Sequence, residues 1–320
     1  MVFVYFIAMN DLRESSDLNL ISGQGVMVYD NYSERSSQNH HVVYALHDSG
    51  YVARTYARID EEISTVESIF ESIKVSADNL NGDVQGLIPA SANLLNYSID
   101  DDILVMNLSE SFLYYMPSDE EQLISMLVWS MTELENVERV YLQIDGKPIN
   151  NLNSGLNVGR GLTRQVGINL EVGTPNLADS KLMMLYFLTD DSDDALLVPV
   201  TRLVSSDTNI IEYAVSSLIM GPLGKSYISV FDHNTTLLDA PSLDQGLLTL
   251  NFSSDLYYDQ DQTKVSSSML RQLVMTMTEF NEVSEVSVII EGNVRVFDDG
   301  MNPIAVPVSR YDVGIFVESY

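Results

Sequence analysis

Two glutamates recur at matching places in this chain, Glu133 and Glu279, each closing a Met-Thr-Glu triplet (Met131 to Glu133 and Met277 to Glu279). A pair of carboxylates flanking a sugar cleft is the equipment of glycoside hydrolysis. Here each glutamate falls near the end of a predicted helix of its own, where a structural hydrogen bond is the commoner use of the group. The four histidines, His40, His41, His47 and His233, have no metal-ligand spacing and no aligned positions in the two halves. None of them therefore has a visible partner to make it a general base. The chain has no cysteine, which removes thiolate catalysis, disulfides and Cys-based zinc or iron-sulfur sites. It also lacks a Gly-x-Ser-x-Gly elbow, a P-loop and a Gly-x-Gly-x-x-Gly turn. No catalytic, cofactor-binding or metal-binding residue is expected, and no cofactor.

Carboxylates are also calcium ligands, and acidic runs occur at Asp100-Asp101-Asp102, Asp190 to Asp194, Asp259-Gln260-Asp261 and Asp298-Asp299-Gly300. All fall at predicted turns, and none continues into a calcium loop with a distal glutamate. Solvated loop tips are the plain reading; weak calcium binding at Asp190 to Asp194 is the sharper one. Two tyrosine pairs, Tyr114-Tyr115 and Tyr257-Tyr258, follow an Asn-x-Ser strand in both halves. Aromatic faces can stack on sugars, although tyrosines at a strand-to-helix corner more often pack against the helix. These four are the candidate contacts for a glycan or a protein partner.

The elements that position these groups occur twice. The stretch from Met131 to Gly146 returns from Met277 to Gly292 at an offset of 146, with Met, Thr, Glu, two Val, Ile and Gly unchanged, and the register holds to Arg164 and Arg310. A self-match at fixed register marks a duplicated unit. The first unit opens with Val42 to Leu46, a turn at His47 to Gly50, and Tyr51 to Tyr56, a hairpin pattern. Its counterpart is Leu182 to Leu188 with Leu196 to Val200. Ile63, Val66, Ile69, Phe70 and Ile73, and in the second unit Ile210 to Ile219, step along a helical face. Strands Asn93 to Ile99 and Ile103 to Leu108 follow, matched by Thr236 to Leu238 and Leu247 to Phe252. A second helix carries Leu123, Met126, Leu127 and Met131, matched by Met269, Leu270, Leu273 and Met277, and a last strand turns at Asp145-Gly146. Each unit reads β-β-α-β-β-α-β, an α+β fold in which two helices cover one face of a mostly antiparallel sheet.

The 320 residues divide on this basis into an N-terminal run and stalk (1–41), a first domain (42–169), a linker (170–180) short enough for the domains to touch, and a second domain (181–320). With 46 acidic against 16 basic residues the chain repels phosphate-rich partners, so no nucleic-acid role is expected. Met1 to Met9 is an uncharged apolar run, too short to span a bilayer, which takes about 20 apolar residues. It reads equally as the end of a membrane anchor or as a buried strand. Asn10 to His41 is polar and reads as a stalk.

The hairpin opening, the helix ending Leu218-Ile219-Met220-Gly221-Pro222, Ile88-Pro89 before Leu94-Leu95, Asn107-Leu108-Ser109 with Asn251-Phe252-Ser253, and the Met-Thr-Glu to Gly segment together resemble the GerM domain of the sporulation and spore germination family. The likeness spans both units. Departures lie at the helix ends, where Lys74-Val75-Ser76 stands in place of Gly-Pro and Val230-Phe231 in place of Ile88-Pro89. The resemblance implies a fold like the ring-building motifs of secretion systems. It also implies a non-enzymatic, extracytoplasmic, membrane-tethered module of Gram-positive bacteria that assembles with envelope or sporulation-complex proteins, or with itself. The alternative is an extracytoplasmic binding module for cell-wall glycan or a solute, using the groove between domains.

Overall fold

Runs of β-branched and aromatic residues on either side of a short polar turn make the first hairpin, β1 (His40–His47) with β2 (Val52–Arg58). Gly50 closes it at φ 85°, donating its N–H to the His47 carbonyl at 2.8 Å. The computed structural model describes residues 40–313 except 59, 61, 81, 193, 225 and 260, so the apolar run and stalk lie outside the described residues. Helix α1 (Thr65–Ser72) follows, started by a capping box in which Ser64 Oγ accepts the Glu67 N–H while the Glu67 carboxylate accepts the Ser64 N–H. Next come β3 (Val84–Gln85), β4 (Leu94–Asp100), β5 (Ile103–Leu108), helix α2 (Glu120–Met131), β6 (Arg139–Ile144) and β7 (Lys147–Pro148).

After β8 (Glu171–Val172) the order repeats with hairpin β9 (Ser180–Leu188) and β10 (Leu197–Ser205), α3 (Ile210–Met220), β11 (Ser242–Asp244), β12 (Leu247–Phe252), β13 (Lys264–Val265), α4 (Ser267–Met277), β14 (Glu285–Ile290), β15 (Phe297–Asp298) and β16 (Val308–Ser309). One turn, α5 (Arg310–Val313), ends the described chain. The α+β class, the duplication and the order of elements agree with the sequence pattern.

Within each repeat the strands divide between two sheets. Strands β4-β5-β6-β7 form a mixed sheet in the first repeat and β11-β12-β14-β16 form its duplicate. In both, the strands on either side of the second helix run parallel, β5 with β6 and β12 with β14, because the helix carries the chain back across the sheet. The hairpins do not stay with their own repeats. They merge into one six-stranded sheet through Leu197 of β10 opposite Arg54 of β2. Strand β9 takes the other edge of β10, and β8 continues along the edge that β2 leaves, with Glu171 opposite Arg202.

In each repeat both helices pack on the hairpin and on each other, and the second helix is covered by the mixed sheet as well. Leu123 to Met131 of α2 are buried on every side of the helix, which packs on β1 and also on β6. Helix α4 packs in the same way on β9 and β14. Enclosed between two sheets, these helices need no polar face, so their serines and threonines bond inward: Ser130 Oγ accepts the Tyr44 N–H and Thr276 Oγ1 the Tyr186 N–H, both at 2.9 Å. These bonds satisfy amides on the outer edges of β1 and β9 that would otherwise be buried without a partner.

Candidate functional site

The recurrent glutamates are tied into two copies of one half-buried constellation. In the first repeat Glu133, just past α2, accepts Tyr44 Oη at 2.8 Å and Arg164 Nη2 at 2.6 Å. In the second, Glu279 accepts Tyr186 Oη at 3.0 Å and Arg310 Nη2 at 2.6 Å. Arg164 also donates Nε to Thr132 Oγ1 and lies 4.6 Å over the Trp129 ring. Burial opposes ionisation of Glu133, but Arg164 and Arg54 beside it, with the Tyr44 hydroxyl, hold its carboxyl below the usual range. Burial and the facing glutamates push the Tyr44 and Tyr186 phenols well up. Arg310 of the second repeat adds to the pull on Glu133, behind Arg164 and Arg54. Each carboxylate is committed to its own arginine and tyrosine, the arrangement of a structural anchor and not of two acids facing a substrate.

The family motif residues have structural work as well. Asn107 Oδ1 accepts the Gly146 N–H at 2.7 Å and Asn251 Oδ1 the Gly292 N–H at 3.1 Å, fixing the turn after β6 and after β14. Those turns need positive φ at both central residues, Asp145 at 47° with Gly146 at 78° and Glu291 at 49° with Gly292 at 75°. Ser109 Oγ accepts the Asn93 N–H, and Ser253 Oγ the Thr236 N–H.

The tyrosine pairs do not align as pairs. The turns after β5 and β12 superpose Phe112 on Leu256, both buried, so Tyr114 matches Tyr258 at an offset of 144. Tyr114 is 67 % exposed and Tyr258 58 %. Tyr115 is buried and donates to Glu120 Oε2 at 2.6 Å, while Tyr257 is half-buried against the second core. Of the four, Tyr115 packs edge-on against Phe112 of its own repeat, and among the described residues no ring contact joins Tyr114 or Tyr115 to Tyr257 or Tyr258. His47 Nδ1 accepts the Ser49 N–H, and His233 Nδ1 lies 2.8 Å from the Ile219 carbonyl. Asp190 Oδ1 accepts the Ser192 N–H at 2.8 Å, a turn bond of the acidic loop. Among the described residues no three acidic or histidine side chains converge as metal ligands would.

Sequence reasoning missed the junction. Asn169, at φ 46°, accepts the Val52 N–H at 2.9 Å and donates to the carbonyls of Val52 at 2.6 Å and Pro199 at 2.8 Å, stapling one hairpin to the other. Arg202 donates Nε and Nη2 to Glu171, whose other oxygen accepts Tyr227 Oη and the Leu223 N–H, so this buried pair is fully bonded. Tyr51, from the first hairpin, packs edge-on against Tyr227 within the second core. A cleft of about 400 Å³ opens beside it, lined by Tyr51, Glu121, Gln122, Asn169, Leu170 and Tyr227 among others. Asn169 has no counterpart in the duplication, so no self-match marks it; Glu133 with Arg164 was marked by the shared offset of 146.

The sequence model of the Germane family, described as sporulation and spore germination, matches residues 42–150 and 184–296, the two repeats. The chain belongs to the Germane family. It is 27 % identical over 278 residues to "Spore germination protein GerM" of Bacillus subtilis (strain 168), covering 84 % of this chain and 76 % of that protein. The solved structure "Tandem GerMN domains of the sporulation protein GerM from Bacillus subtilis" superposes with a TM-score of 0.77 at 25 % identity, covering 85 % of this chain and 97 % of that one. Tandem Germane repeats thus account for the fold, and a role in sporulation or germination is the coarse function this kinship supports. Among the described residues no helix is long and apolar enough to cross a membrane.

Proposed function

We propose that this chain is a non-catalytic structural and interaction protein of the cell envelope of a Gram-positive bacterium, acting in sporulation or germination by protein-protein assembly. The observation that carries this reading is the fused six-stranded sheet, which joins the repeats into one platform. In support, the polar groups shared by the repeats are spent on each other: Glu133 and Glu279, Asn107 and Asn251, and Ser109 and Ser253 all have protein partners. A pair of repeats presents more surface to partners than one, and a linked pair binds with the advantage of effective concentration.

Fractionation of the native host, followed by deletion of the gene, tests the reading. The protein is expected in the envelope fraction, and the deletion is expected to impair spore formation or germination. A cytosolic protein whose loss leaves both processes intact contradicts it. A second reading, glycan binding, is favoured by the matched exposure of Tyr114 and Tyr258. Cell-wall glycan retained equally by the parent chain and by Tyr114→Ala with Tyr258→Ala removes that version.

A further inference from the structure

Strands β4 and β11 hold the same edge of the mixed sheet in the two repeats but are finished differently. Strand β11 is three residues long, preceded by Asp239 and Pro241 and ended by Asp244. Proline removes a donor and charge disfavours docking, so this edge is blunted against added strands. Strand β4 runs for seven residues with no proline and no charge before its last residue. Its inner edge is paired with β5, and among the described residues no strand pairs with its outer edge. Tyr97 and Ile99 stand opposite Met106 and Leu104, which are buried, and so lie on the core side of the sheet; they are nevertheless 36 % and 47 % exposed. Leu95 is exposed too, at the bulge.

We infer that the outer edge of β4 accepts an extended segment of a basic protein partner as an added strand. This rests on the assembly reading above and names the partner's chemistry. Backbone hydrogen bonds along the open edge supply affinity, and alternate side chains meeting Tyr97 and Ile99 supply register. Charge chooses the occupant. The edge runs into Asp100-Asp101-Asp102, all exposed, in a chain of net charge −30, so a second copy brings like charge to like charge. A segment alternating apolar residues and ending in lysine or arginine beside those aspartates meets both features.

The test uses the full chain and three labelled probes, followed by fluorescence polarisation: a peptide alternating Val and Thr and ending in lysines, its twin ending in glutamates, and the lysine peptide N-methylated at alternate amides. The lysine probe is expected to bind about tenfold more tightly than the glutamate twin, with affinity falling as salt rises. N-methylation is expected to abolish binding. Tyr97→Lys with Ile99→Lys should weaken the lysine probe about tenfold, and Leu243→Lys on the blunted edge should leave it unchanged. Asp100→Lys with Asp102→Lys should reverse the preference between the twins. Equal binding of the methylated probe, equal binding of the charge twins, or undiminished binding by Tyr97→Lys with Ile99→Lys overturns the inference. Envelope proteins that copurify with parent and variant alike leave the assembly reading standing and sink the β4 edge. If none copurify with either chain, both fall.

Discussion

In the first repeat Glu120, at the start of α2, holds the following loop by accepting from Ser154 N at 3.0 Å, from Ser154 Oγ and from Tyr115 Oη. In the second repeat the carboxylate sits on the other side: Asp299 of the loop accepts the Ser267 N–H at 2.6 Å and Ser267 Oγ at 2.7 Å at the start of α4. A close backbone approach is likewise present in one repeat and relaxed in the other. Gly86 follows the residue that pairs with the hairpin in the first repeat, and a Cβ there would lie 2.3 Å from backbone atoms of Ile73 and Lys74. Ser229 takes that place in the second repeat, following Ile228, and its side chain has room to donate Oγ to the Leu218 carbonyl, while Gly221 at the end of α3 is set by its φ of 84°. The duplication has kept a contact while letting either side supply it. By contrast, Tyr, Glu and Arg of the inner constellation stand on the same elements in both repeats. A carboxylate drawn this far out of water needs its arginine and tyrosine together, so a piecemeal exchange would pass through an unpaired charge.

This contrast can be broken most forcefully at the glutamates. Glu133→Ala leaves Arg164 and Tyr44 without their acceptor, and Glu279→Ala does the same to Arg310 and Tyr186; each should lose about 3 kcal/mol in urea denaturation. Losses that differ severalfold would end the equivalence of the two sites. Where Gly86 and Ser229 correspond the repeats should differ. Gly86→Ala should cost about 3 kcal/mol through overpacking, and Ser229→Ala about 1 kcal/mol through its lost hydrogen bond to Leu218. Thermal unfolding of the two variants compares them directly. Asn169→Ala, which removes the staple and leaves a non-glycine residue at positive φ, should lower stability by about 2 kcal/mol.

Acid gives a smaller effect with a definite sign. The carboxyl of Glu133 is held below its unfolded value of about 4.3, so its contribution is complete above that pH and is lost as pH falls through the folded value. Glu133→Gln should flatten that acid limb of a stability profile measured by denaturation. Smallest of all, Tyr114→Ala and Tyr258→Ala should each change stability by no more than about 0.5 kcal/mol, since both side chains are mostly in water.

Periodicity made the hairpins, helices and turn at Asp145-Gly146 legible, because each depends on residues close in sequence. The offset between Glu133 and Glu279 and between Arg164 and Arg310 marked the inner constellation without showing what it joins. Pairing of Arg54 with Leu197 was invisible, as were the enclosure of α2 and the staple at Asn169. All three are long-range choices between surfaces of similar composition. The tyrosine pairs were misaligned by one residue because adjacent tyrosines look alike, whereas packing of Phe112 and Leu256 sets the register.

The shared sheet should make the two repeats one cooperative unit. Native-state hydrogen exchange on Glu133→Ala tests it, with protection read along β9 and β10 in the unmutated repeat. The slowest amides there should lose as much protection as those of β1 and β2. Full protection kept in β9 and β10 while β1 and β2 open would contradict it.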